Sequence, residues 1–139
     1  MKNLITLSLT SLLLVLFMAG CAGKLYVENM DVNSSSVSPG DEVTSYVTLN
    51  KASDNIETVK GTVREYPEFS AEFNNDGTDG DEKAGDNVWS KKMNIPYDAP
   101  SRTFHLDITV LDKEGNVITA KNVKVENPQK SGTIDVKIE

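Results

Sequence analysis

Five acids, Asp76, Asp79, Asp81, Glu82 and Asp86, crowd into the stretch from Asn74 to Trp89, which holds a single base, Lys83. Gly77, Gly80 and Gly85 are spaced between them. Carboxylates at this density repel one another unless something cationic offsets them. Glycine enters positive φ at little cost, so the chain can double back and turn carboxylates and carbonyls toward one centre. A hard cation suits such a centre, because calcium takes six to eight oxygen ligands from flexible loops. The candidate ligands are Asp76, Asp81 and Asp86, with Asp79 as a fourth. The same residue types also build an ordinary solvated turn whose charges are largely screened by salt. Sequence leaves both readings open.

Other chemistry is thinner. The loop is not an EF-hand: with Asn75 at position 1, Gly77 occupies a place that needs a carboxylate. His105 is the one histidine and Cys21 the one cysteine, so a zinc site has too few soft ligands. His105 lies two residues from Asp107 on the same outward strand face, which allows a pair. No nucleophile turn accompanies it, and a surface histidine without catalytic work is the expectation. Tyr46, Tyr66 and Tyr97 could form a carbohydrate platform if the fold gathers them.

The run Asp76-Gly77-Thr78-Asp79-Gly80-Asp81, followed by Ala84-Gly85-Asp86-Asn87-Val88-Trp89, resembles a signature of bacterial immunoglobulin-like modules of the choice-of-anchor X type. That signature reads Asp-Gly-x-x-Gly-Asp-x-x-x-Gly-Asp-Gly-x-Tyr and lies between two strands of a β-sandwich. Here Asn87 stands in place of Gly, tolerable because Asn enters the left-handed region more readily than most residues, and Trp89 stands in place of Tyr. The resemblance implies a sandwich fold and a surface setting for the loop. It implies no activity, since sandwiches host many functions.

At the other end of the chain, Lys2 precedes an uncharged, leucine-rich run from Leu4 to Phe17, and Met18-Ala19-Gly20-Cys21 follows. This is the build of an export signal. Small residues before a cysteine resemble a bacterial lipobox, in which the cysteine is acylated and becomes the mature N-terminus. The expectation is therefore a signal peptide over 1–20, lipidation of Cys21, and one domain over 21–139. The apolar run is short for a membrane span. Ala22 is not the Asp that resembles an inner-membrane retention signal, so the bacterial outer membrane is the favoured location.

The whole chain carries 21 acids against 14 bases, a net charge of −7, and loss of 1–20 removes a base but no acid. An acidic chain without a basic patch argues against nucleic acid and against electrostatic membrane binding. The lipid alone would hold the membrane.

Elements that could position these groups follow a period of two. Leu25, Val27 and Asn29 alternate with Tyr26 and Glu28; Val43, Ser45, Val47 and Leu49 form an inward row; Val59, Gly61 and Val63 form another. Pro67 restricts Tyr66 to Phe73 to an edge or late-starting strand. Trp89, Lys91, Met93 and Ile95 share a face, where Lys91 implies a bulge or a lysine stem that lies along the apolar edge. Phe104, Leu106, Ile108 and Val110 are the clearest row and should all be buried. Asp112 to Asn116 reads as a hairpin turn into a strand over Val117 to Glu126, and Ile134, Val136 and Ile138 mark the last strand.

These patterns predict an all-β antiparallel β-sandwich of seven to eight strands, and the resemblance implies that it is immunoglobulin-like. The function expected is that of a cell-envelope lipoprotein, non-enzymatic, with a calcium-stabilised domain in a structural or adhesive role. The alternative is an accessory module that binds polysaccharide or an envelope protein.

Overall fold

Val43, Val47 and Leu49 face Leu106, Ile108 and Val110 across the interior, and two sheets are built to bring those rows together. The structure, a computed structural model, describes residues 23–120 and 129–139. The strands are β1 (Val27–Val32), β2 (Ser36–Val37), β3 (Glu42–Leu49), β4 (Ile56–Val63), β5 (Ser70–Glu72), β6 (Val88–Asn94), β7 (Thr103–Asp112) and β8 (Gly132–Ile138). A three-stranded sheet runs β1-β3-β6 and a five-stranded sheet runs β2-β8-β7-β4-β5. Apart from the parallel β2–β8 pair, the named strands pair antiparallel. In immunoglobulin letters this is A-B-E packed on G-F-C, so strand order alone gives an immunoglobulin-like sandwich.

Alternation accounts for most of the core. In β3, Val43, Ser45, Val47 and Leu49 are buried on the inner face as their spacing predicts. In β7, Leu106, Ile108 and Val110 are buried, but Phe104 is only half-buried, because the sandwich is open where β7 begins. Each fully buried aliphatic side chain contributes about 1.5–3 kcal/mol from apolar area removed from water. The aromatic that the core does enclose is Phe73, just beyond β5. It lies over Gly61, where an added Cβ would come within 3.1 Å of its ring and 3.0 Å of Leu106.

Three stretches depart from the alternation read in the sequence. β1 bulges between Val27 and Asn29, so Met30 and Val32 continue the inward row and Asn29 is exposed. β2 lies inside a serine-rich stretch that reads as turn. Its two residues are too few to show a period, yet Val37 is buried against β8. After β7, Asp112 caps the turn with bonds from the Glu114 and Asn116 amides, and Val117 bridges back to Leu111. The chain then moves across to β1, where the Val27 amide donates to the Thr119 carbonyl. The rest of the strand expected over Val117 to Glu126 falls largely outside the described residues, as do the 1–20 segment and Cys21.

Candidate functional site

The acidic loop leaves the five-stranded sheet at Phe73, whose amide still bonds Val59 of β4. One residue later Asn74 pairs with Ser90 at the free edge of β6, by bonds of 2.8 and 2.9 Å. Asn75 closes the neck: its side chain accepts from the Gly85 amide and donates to the Asp86 carbonyl. Gly77, Gly80 and Gly85 all adopt positive φ, as the reversals require, and Asp79 joins them at 54°. Asn87 does not. It keeps a negative φ and uses its amide to bond the Leu49 carbonyl, so the left-handed tolerance invoked for it is unused. Gly80 presses on the outer face of β3, where a Cβ would stand 2.6 Å from Thr44 Cγ2, and this contact explains why outward-facing Thr44 is buried.

Each carboxylate named as a calcium ligand has a different partner. Asp76 accepts from the Thr78 hydroxyl and amide, bonds that hold it below the usual carboxylate range. Asp79 accepts from Asn74 Nδ2 at 2.9 Å and from the Lys91 ammonium. Asp81, 6% exposed, accepts from the Gly77 amide at 2.7 Å, and Asp86 from the Val88 amide at 2.7 Å. Among the described residues no three acidic, His or Cys side chains converge as a metal-binding group. The Asp79 pair also resolves Lys91. The β3–β6 register is continuous with Ser45 opposite Lys91, so there is no bulge; the lysine stem runs along the edge and its ammonium ends on the loop.

A second charged group lies on the outer face of the five-stranded sheet. Arg64, next to β4, grips Asp107 through Nε at 3.2 Å and Nη2 at 2.6 Å, and Thr133 donates to the same carboxylate. Lys130 approaches it to 3.7 Å. Burial raises the Asp107 pKa, yet the Arg64 and Thr133 bonds outweigh it and the net shift is downward. His105 does not pair with Asp107. Its Nδ1 meets Glu65, its amide donates to the same carboxylate at 3.1 Å, and Nε2 lies 3.8 Å from Asp135. Glu65 is likewise pushed up by burial and pulled down further by these His105 bonds, to about 2.

The third feature left no mark on sequence reading. A cleft of about 550 Å³ opens between the sheets, where β4 ends and β6 runs into Pro96. Val63, Met93, Ile95 and Leu106 line it with apolar surface. Tyr66, Phe69 and Phe104 supply an aromatic side, with ring centroids 6.3 Å apart for Tyr66–Phe69 and 6.0 Å for Tyr66–Phe104. Tyr66 and Phe69 are 38% and 59% exposed. The available signal was two large aromatics flanking Pro67 and Glu68 in a connection too short to bury them. Tyr46, Tyr66 and Tyr97 do not share a surface: Tyr46 lies opposite Ser90 on the outer face of β3, Tyr66 lines the cleft, and Tyr97 is 90% exposed.

No family model and no curated protein matches the chain. Among solved structures it is similar to a Niemann-Pick type C2 protein from Japanese carpenter ant, with TM-score 0.44 and 9% identity over 86% of this chain and 96% of that one. A likeness at that level decides neither ligand nor role, and the fold rests on the strand order above.

Proposed function

We propose that the chain is a lipid-anchored envelope protein whose single sandwich displays a non-catalytic binding site. The observation that carries this reading is the polarity of the domain. Gly23 and Lys24 are tied to one end through Lys51 and Asn50, beside the last residue of β3. The cleft opens at the other end, beside Val43, about 20 Å away at ~3.3 Å per strand residue. A lipid on Cys21 would hold the first end at the membrane and leave the cleft facing outward. Of the two roles read from sequence, the accessory binding module is favoured over a purely structural one, because a scaffold has no need of an open apolar cleft.

Membrane fractionation tests the anchor. The native chain should partition with membranes and carry an acylated Cys21 as its first residue, and Cys21→Ser should release it or leave it unprocessed. An unmodified N-terminus beyond Cys21 would overturn the proposal.

Calcium belongs to this reading as an external stabiliser of the loop. The loop closes on its own hydrogen bonds, so an ion would have to draw Asp76, Asp81 and Asp86 from their present donors. At a hundredfold excess over its dissociation constant, linkage gives about 2.7 kcal/mol. Millimolar calcium should raise the melting temperature more than magnesium does, and Asp81→Ala should remove the difference. Identical melts in chelator and calcium would take calcium out of the reading.

A further inference from the structure

Resting on the binding-module reading, the geometry points to a small organic cation with an apolar body, of the alkylammonium class, as the ligand of the cleft. A volume of about 550 Å³ admits a small molecule rather than a folded partner. Glu68 and Asp98 are the charged side chains among its lining residues, which include no Lys, Arg or His. They come from opposite walls, Glu68 from the β4–β5 connection and Asp98 from the β6–β7 connection, and both are exposed at the mouth. Beside Glu68 stand the rings of Tyr66 and Phe69, and aromatic faces attract ammonium groups. The third ring, Phe104, already attracts a cation of the protein itself: the Arg102 guanidinium lies 5.5 Å from its centroid, outside the cleft lining. Apolar walls, ring faces and two carboxylates at the mouth fit an alkyl chain that ends in an amine or quaternary ammonium. The same carboxylates disfavour a fatty acid or a phosphate, and the net charge of −7 extends that preference to longer range.

The test titrates the full chain with hexyltrimethylammonium, hexanoate and hexanol, read by the methyl resonances of Met93 and Ile95 and the ring resonances of Phe104. The cation should bind about tenfold more tightly than the anion at low salt, with hexanol between them, and the gap should narrow as salt screens the rim. Glu68→Gln combined with Asp98→Asn should bring the cation close to hexanol and leave hexanol unchanged. Both positions are exposed, so this variant should melt like the parent. Ala99→Phe, which fills the cleft, should weaken all three ligands. Equal binding of the three, or tighter binding of hexanoate, would overturn the cationic assignment, and unmoved resonances with every probe would overturn the site. Cys21→Ser should leave these titrations unaltered, so failure of the anchor and failure of the cleft are told apart.

Discussion

The acidic loop, rooted at the free edge of β6, and the cleft, open between the sheets, solve opposite problems. In the loop all four candidate calcium ligands already have a donor: Asp76 from Thr78, Asp79 from Asn74 and Lys91, Asp81 from Gly77, Asp86 from Val88. In the cleft, apolar side chains that could have closed the core are held apart, and Tyr66 and Phe69 remain exposed. Chemical conspicuousness in a sequence therefore marks groups that need partners, and a fold can supply those partners internally. An unmet requirement is the better pointer to a ligand, and here the cleft has it.

Substitutions can break this contrast. The largest effect should come from Leu106→Ala, because Leu106 is 5% exposed and serves both the core and the cleft floor. Its loss should cost about 2–5 kcal/mol in a denaturant melt. A cost below about 1 kcal/mol would mean that the cleft reaches so deep that β7 has no packed core beneath it. Gly80→Ala should come next, at about 1–3 kcal/mol, since a side chain there meets Thr44 at 2.6 Å and the residue sits at φ +89°. A neutral result would show that the loop rests loosely on β3, and the description of a loop locked on its own contacts would fail.

How much was legible follows from how local each signal was. The β3 row, the Leu106, Ile108 and Val110 part of the β7 row, the late-starting edge strand after Pro67 and the glycine reversals depend on adjacent residues, and they appear in the structure as read. The bulge at Val27, the two-residue β2 and the half-exposure of Phe104 depend on what lies across the sheet, which period alone cannot report. The Glu65–His105 and Arg64–Asp107 pairs join groups forty or more positions apart, at separations of 40 and 43 residues. His105 and Asp107 share a face as expected, but stronger partners from the neighbouring β4 end take both. The cleft is harder still, because it is an absence of packing assembled from six separate strands and their connections.

Acid offers the smallest of the three tests, and it acts on the wall of the cleft. Glu65 immediately precedes Tyr66, and its bonds to His105 tie the start of the β4–β5 connection to β7. In the folded chain its pKa falls from 4.5 to about 2, and Asp107 beside it is also lowered. A carboxylate whose folded value lies below its unfolded one stabilises the fold fully above the unfolded value and loses that contribution as pH falls toward the folded one. Melting temperature should therefore hold steady down to about pH 5 and decline between about 4.5 and 2, with Glu65→Gln flattening the decline. Asp76 titrates low as well, but its partner Thr78 is two residues away and exposed, so its protonation loosens one turn rather than a wall. Ring resonances of Tyr66 and Phe69 should thus broaden in acid before the amides of Gly77 and Gly80 do. If loop and cleft respond together, the Glu65–His105 tie is not what holds the wall, and the two regions are less independent than their hydrogen bonds imply.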